Sequence, residues 1–120
     1  ETGLLPMIHT TSSETNITIV RPGVERLTAV NAKVFKNEIS ELIDQGADHL
    51  IIDFTQVKFL DSSGLGALVG VLKKIGNRGE LSVCGLNSDV AQMFHICRMD
   101  RVFTIYPDVQ MTLQSMSERQ

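Results

Sequence analysis

The sequence lacks a long hydrophobic run and an excess of basic residues, and each absence argues against a class of protein. No apolar stretch approaches the roughly 18 residues of a membrane span, so no span is expected. Lysine and arginine total 11 against 14 aspartate and glutamate, which gives a net charge of −3. Because nucleic-acid binding needs a basic face that neutralises phosphates, nucleic acid is not expected as the main partner.

Cysteine is also scarce. Two cysteines, Cys84 and Cys97, make neither a disulfide framework nor a zinc site. Both lie in apolar segments, so we expect buried thiols in a reducing cytoplasm. His95 and Cys97 are two residues apart and would point to different faces of a helix, so they could not easily share one ion. Neither a metal nor a cofactor is expected.

The length and composition predict one globular domain. The chain has 120 residues, 42% of them hydrophobic and 21% charged, which is not the composition of a disordered protein. Residues 1–6 precede Met7 and are interpreted as a cloning remnant. Residues 7–16 are polar and are expected to form a flexible N-terminus. The domain is predicted over residues 17–116, with a frayed C-terminus at 117–120.

The N-terminal third predicts a hairpin followed by a helix. Residues 17–20 and 24–27 have strand composition, and the Arg-Pro-Gly between them supplies a turn. From about residue 29 to residue 45, apolar residues recur at steps of three and four, which predicts an amphipathic helix. Its predicted buried stripe is Val30, Val34, Ile39, Leu42 and Ile43.

The rest of the chain alternates strand and helix patterns. Residues 50–54 form a near-continuous apolar run, typical of a strand buried on both faces. The later predictions are a helix over 62–75, a strand over 81–84, a helix after Asn87, a strand over 102–106 and a helix after Pro107. The predicted fold class is therefore α/β, with about five strands in a mixed, mainly parallel sheet, an N-terminal hairpin and four helices.

One motif, Phe-Leu-Asp-Ser-Ser-Gly-Leu-Gly from Phe59 onward, lies where such folds place their sites. Asp61 is a good N-cap, and the two serines after it fall where helix N–H groups and the helix dipole favour a phosphate. Gly64 and Gly66 each cost about 1 kcal/mol relative to alanine in a helix, and they leave the backbone bare for another protein. Ordinary helix capping is the alternative interpretation of Asp61 and Ser62.

The motif resembles the phosphorylation site of bacterial anti-sigma factor antagonists, which belong to the STAS domain family. The similarity extends to the strand at 50–54, to residues 79–85, and to the elements at 90–94 and 102–103. It covers nearly the whole chain, from about residue 17 to residue 113. The missing span and the start at Met7 favour a stand-alone protein, and we expect it to be monomeric, cytoplasmic and not an enzyme.

The family resemblance also implies partners and site residues. Its unphosphorylated members bind an anti-sigma factor that is also a GHKL-type serine kinase, which releases the sigma factor. Phosphorylation of the first serine of the motif, here Ser62, ends the binding, and a PP2C-type serine phosphatase reverses it. Lys58, Thr28 and Asn31 join the predicted contact surface only because they are expected to lie near the motif. The partner-binding set is Asp61, Ser62, Ser63, Gly64, Leu65, Gly66, Lys58, Thr28 and Asn31.

Thr28 departs from the family pattern, since many members carry an aspartate there. The absence of that carboxylate is expected to change kinase recognition or partner choice. It does not remove the acceptor serine, Ser62. Thr28 and Asn31 are also good helix caps, which is the structural interpretation of both.

Other functions fit the sequence less well. A serine hydrolase would need Gly-x-Ser-x-Gly, but Leu60 replaces the first glycine, and Asp89 and His95 are the available acid and base. The glycines after Ser63 miss the dinucleotide spacing by one residue, and no P-loop is present. The alternative that remains open is a STAS scaffold or regulatory module for a target other than a sigma factor, such as a stress-sensing assembly or an anion transporter.

Overall fold

In a computed structural model, residues 6–118 are described. Within them the chain forms seven strands and four helices. The strands are β1 (Ile8–Ser12), β2 (Thr18–Pro22), β3 (Arg26–Leu27), β4 (His49–Asp53), β5 (Phe59–Leu60), β6 (Glu80–Cys84) and β7 (Thr104–Tyr106). The helices are α1 (Ala32–Asp44), α2 (Ser62–Ile75), α3 (Ser88–Ile96) and α4 (Val109–Glu118). None of these helices is long and apolar enough to cross a membrane.

The main sheet confirms the predicted architecture. Its strand order is β1-β2-β4-β6-β7, with β1 and β2 antiparallel and the other neighbours parallel. The apolar run of β4 lies in the middle, where Leu50, Ile51 and Ile52 are fully buried. A strand buried on both faces needs no alternation of polar and apolar residues, which is why its sequence is continuously hydrophobic.

The predicted hairpin is in the wrong place. The predicted strand at 17–20 corresponds to β2, which starts at Thr18 and continues through Arg21 and Pro22 of the predicted turn. It pairs with β1, so that Ile8 lies opposite Pro22 and Ser12 opposite Thr18. Residues 24–27 form no hairpin with it. Instead β3 pairs in parallel with β5 in a separate two-stranded ladder. The composition of these segments indicated strands, but it did not indicate their partners.

The prediction of a flexible N-terminus is wrong for Ile8–Ser12, which is the edge strand β1. Four of its five residues are exposed, so the segment has no apolar alternation to mark it. Its start is held by Glu38 of α1, whose carboxylate accepts from the backbone N–H groups of Met7 at 2.9 Å and Ile8 at 3.0 Å. Residues 1–5 of the predicted cloning remnant lie outside the described residues.

Two hydrophobic layers enclose the sheet. The larger layer packs α1, α2 and α3 on one face, and the edge-to-face contacts of Phe94 with Phe54 and Phe103 lie within it. On the other face, Met116 of α4 packs with Ile51 and neighbouring residues. Ser117 and Glu118, which were predicted to fray, are the last residues of α4, and residues 119–120 lie outside the described part.

The buried stripe of α1 differs from the prediction. The helix begins at Ala32 rather than near residue 29, and its buried residues are Ala32, Phe35, Ile39 and Ile43. Val30 precedes the helix and is 92% exposed, and Val34 lies on the outer face. The predicted positions Ile39 and Ile43 are confirmed as buried, and Leu42 packs against the core. Periodicity wrongly counted Val30 as helical and missed Phe35.

The attachment of β1 to α1 predicts an effect of Glu38→Ala. Without the carboxylate, the Met7 and Ile8 amides lose their acceptor, and we expect a loss of about 1 kcal/mol in the free energy of unfolding. Hydrogen exchange should accelerate in β1 more than in β4. Glu41→Ala, on the same helix, is the control because its side chain makes no hydrogen bond within residues 6–118. Equal exchange of β1 in both variants would contradict this role of Glu38.

Candidate functional site

The motif is positioned by the small β3–β5 ladder. Arg26 pairs with Phe59 and Leu27 with Leu60, and α2 begins two residues after Leu60. The ladder therefore holds the start of α2 beside the end of β3. The predicted bounds of α2, 62–75, are confirmed.

Asp61 is the N-cap of α2, as predicted. Its backbone is extended, and its Oδ1 accepts from the N–H groups of Ser63 at 2.9 Å and Gly64 at 3.1 Å. These amides would otherwise lack an acceptor at the end of the helix. A phosphate at this helix start would find these two donors already occupied by the carboxylate.

The second oxygen of Asp61 reaches a different segment. Oδ2 accepts from the N–H of Ala29 at 3.3 Å, which brings the loop of residues 28–31 beside the motif. Inside this loop, Asn31 Oδ1 accepts from the Thr28 N–H at 3.0 Å, and Thr28 Oγ1 accepts from the Val30 N–H at 3.3 Å. Asn31 makes no side-chain cap for α1. Thr28 and Asn31 therefore shape the loop rather than cap the helix through their side chains.

Gly64 and Gly66 have different structural roles. A Cβ on Gly64 would lie 2.8 Å from the backbone oxygen of Leu27, so only glycine lets α2 approach β3 this closely. Gly64 and Leu65 are buried and support the motif from below. A Cβ on Gly66 would meet nothing within 4 Å, and this residue is exposed. Of the two glycines, Gly66 is therefore the one whose bare backbone faces outward.

The accessible part of the predicted surface is Ser62, Gly66 and Lys58, with Ser63, Asp61, Thr28 and Asn31 half-buried. Lys58 is paired with Glu25 at 3.8 Å, and both side chains are 71% exposed, so this pair adds little to stability.

Arg26 and Val30 also lie beside the motif. Arg26 stacks on the Phe59 ring at 4.3 Å from its centroid, and exposed Val30 lies next to the residue that Asp61 binds. Nothing in the local sequence signals the stacking, since the two residues meet only through the β3–β5 pairing. The exposure of Val30 follows from the start of α1 at Ala32, which leaves Val30 outside the helix.

Two further polar side chains, Asp53 and Cys84, lie at the ends of the neighbouring strands β4 and β6. Buried Asp53 pairs with Arg21 Nε at 3.2 Å and accepts from the Thr55 N–H at 3.0 Å. Burial, with a smaller effect of the Asp53 charge, raises the pKa of Cys84 to about 11, which makes its thiol a poor nucleophile. Within residues 6–118 no three His, Cys, Asp or Glu side chains are grouped to hold a metal.

The two glycines give a matched pair of variants. Gly66→Ala should raise the free energy of unfolding by up to about 1 kcal/mol, because alanine favours the helix and meets no neighbour. Gly64→Ala should lower it by about 1–3 kcal/mol, because its methyl group would press on the Leu27 carbonyl. Urea unfolding followed by circular dichroism measures both. Equal stability of the two variants would show that the Gly64 approach is not required.

Two variants distinguish the contributions of the two carboxylate oxygens of Asp61. Asp61→Ala should cost about 1–2 kcal/mol through loss of the cap. Asp61→Asn should keep most of that stability, because asparagine caps helices about as well, while its NH₂ group faces the Ala29 amide. Amide exchange at Ala29 should therefore accelerate in both variants. Asp89→Ala, in the first turn of α3, is the control, and unchanged exchange at Ala29 in Asp61→Asn would contradict the contact.

Comparisons with known proteins identify the family of this chain. Residues 9–111 match the family model of the STAS domain. The anti-sigma-F factor antagonist RsfB of Mycobacterium tuberculosis is 25% identical over 97 residues, covering 81% of this chain and 79% of that protein. The anti-sigma F factor antagonist of Paenibacillus polymyxa is 32% identical over 60 residues, which cover 49% of this chain and 51% of the relative.

Solved structures share the fold. The crystal structure of an anti-sigma factor antagonist from Mycobacterium paratuberculosis matches with a TM-score of 0.83 at 21% identity, covering 91% of this chain and 92% of that chain. A murine anion transporter, Slc26a9, matches with a TM-score of 0.69 at 19% identity, over 88% of this chain and 18% of the transporter. Given the match over residues 9–111, the chain belongs to the STAS domain family, and its named bacterial relatives are anti-sigma factor antagonists.

Proposed function

We propose that this protein is a phospho-switch without catalytic activity of its own. Unphosphorylated, it binds an anti-sigma factor of the GHKL serine-kinase type over Ser62, and the bound kinase releases its sigma factor. Phosphorylation of Ser62 ends the binding, and a PP2C-type phosphatase restores it. The names of the bacterial relatives support the antagonist role. The kinase and phosphatase classes rest on the family resemblance.

The exposed hydroxyl of Ser62 is the observation that carries the proposal. Ser62 is the first residue of α2 and lies in solvent, and its side chain makes no hydrogen bond within residues 6–118. On either side the backbone is held, by the β3–β5 ladder before it and by the Asp61 cap after it. A kinase would therefore meet a free hydroxyl at a fixed position.

The same cap supports an effect of phosphorylation on the partner rather than on the fold. The carboxylate of Asp61 already occupies the Ser63 and Gly64 amides, so a phosphoryl group on Ser62 could not take those donors. It would instead stand beside a carboxylate and be repelled by it. Its charge would therefore be directed outward, toward whatever covers Ser62.

The expected size of this repulsion is sufficient for a switch. A phosphoserine adds about −1.5 to −2 charges. A partner carboxylate about 6 Å away, at an effective dielectric near 20, would be repelled by roughly 3 kcal/mol per unit charge. A hundredfold loss of affinity needs only about 2.7 kcal/mol. No rearrangement of the domain is needed.

Ser62→Asp is the first test, with Ser88→Asp as a matched control. Ser88 is also an exposed first helical residue behind an N-cap, Asn87, so it receives the same charge in the same local geometry. In pull-downs from the native host read by mass spectrometry, wild type and Ser88→Asp should recover a kinase-fold ATPase. Ser62→Asp should lose at least about 90% of it, in line with the repulsion above.

Phosphopeptide mapping completes the experiment. Incubation of the recovered kinase with ATP should modify Ser62 in wild type and leave Ser62→Ala unmodified. Equal recovery of the kinase by all three baits would contradict the switch. Recovery of a transporter or a large assembly, with no kinase, would favour the scaffold or regulatory module instead.

A further inference from the structure

The end of α3 leaves two aliphatic side chains in solvent. Val90 and Phe94, earlier in the helix, are fully buried, whereas Ile96 is 66% exposed and Val102, just beyond the following turn, is 48% exposed. Single exposed apolar residues are common, but these two lie within one short segment. Ile96 lines a hollow of about 430 Å³ together with His95, Arg98, Asp100 and Arg101, and Val102 follows this lining directly in the chain. We refer to it as the 95–102 hollow.

The 95–102 hollow is a positive spot on an acidic protein. The chain carries a net charge of −3, yet Arg98 and Arg101 both line this hollow. Within residues 6–118, neither guanidinium makes a hydrogen bond or an ion pair. Asp100 Oδ2 lies 2.9 Å from His95 Nδ1, and that contact, with a smaller effect of the Arg101 charge, lowers the pKa of Asp100. Two fork-shaped donors are therefore free to bind carboxylates from outside.

Arg98 occupies a position whose backbone conformation favours glycine. Its backbone is left-handed, with φ 61°, directly after the C-cap of α3. This conformation is where helices commonly end on glycine, because a side chain there is disfavoured. Replacing the residue by glycine would therefore remove the cation without straining the backbone.

The 95–102 hollow is separate from Ser62. The start of α3 lies near the segment that leads to Ser62, since Asn87 Nδ2 donates to the Val57 carbonyl at 3.2 Å. The hollow lies at the other end of this nine-residue helix, about 13 Å away along its axis. A ligand there need not cover Ser62.

We propose that the 95–102 hollow is a second docking surface, which binds a protein segment that carries an aliphatic side chain between carboxylates. The two free guanidiniums select for carboxylates, and exposed Ile96 and Val102 select for an aliphatic group. Nucleic acid fits less well, because it requires an extended basic face and the chain as a whole is acidic. This proposal does not depend on phosphorylation of Ser62.

A peptide titration tests the proposal on the full 120-residue chain. The probe is an octapeptide of alternating glutamate and leucine, and the controls are alternating lysine and leucine and alternating glutamate and serine. Amide shifts in nuclear magnetic resonance spectra should move saturably at residues 95–102 with the first peptide. The two control peptides should bind at least about fivefold more weakly, because each lacks one of the two features.

Arg98→Gly is the decisive variant because it is expected to fold at least as well as wild type. It should lower the affinity for the glutamate–leucine peptide by at least about fivefold. Arg78 is an exposed arginine elsewhere, and Arg78→Ser should leave that affinity unchanged. Ser62→Asp should also leave it unchanged. Shifts outside residues 95–102, equal binding of the lysine peptide, or full affinity in Arg98→Gly would overturn the proposal. Shifts that follow protein concentration rather than peptide would assign the surface to a second copy of this chain and overturn the stated occupant.

Discussion

The geometry of the motif depends on one carboxylate, that of Asp61. One oxygen closes the start of α2 through the Ser63 and Gly64 amides, and the other holds the Ala29 amide of the preceding loop. A helix start and a loop distant in sequence therefore form one surface. The approach is possible because Gly64 lets α2 lie against the Leu27 carbonyl. Cap, loop and glycine are thus parts of a single packing arrangement.

This arrangement also bears on how charge at the motif would act. Free amides at a helix start could bind an added anion, and that binding would change the local structure. Here Asp61 has already satisfied two of those amides, so Ser62 stands in solvent beside a negative group. The proposed switch is therefore electrostatic and local. The 95–102 hollow has the opposite character, with free cations and exposed aliphatic groups one helix length away.

Prediction succeeded where neighbours in sequence determine the structure. The bounds of α2 followed from the Asp61 cap, and the start of α3 followed from Asn87, whose side chain accepts from the Val90 amide. It failed where the partner is distant. Residues 24–27 have strand composition, but whether they pair with β2 or β5 depends on packing that no turn signal reveals. In α1 the predicted stripe was right at Ile39 and Ile43 and wrong at Val30, because periodicity does not show where a helix begins.

The sequence by itself determined the central strands, the motif, its N-cap and the family resemblance, because apolar content and capping involve residues close along the chain. Tertiary structure alone decided three further features. It attached the polar strand β1 to α1 through hydrogen bonds to Glu38, and it brought the Ala29 amide to Asp61. It also buried Gly64 and Leu65, which follow Ser62 in α2. For β1 the physical reason is that the half-buried Met7 and Ile8 amides must find an acceptor, and a distant carboxylate supplies one without leaving any periodic pattern in the sequence. The other two features depend on residues that only the folded chain brings together.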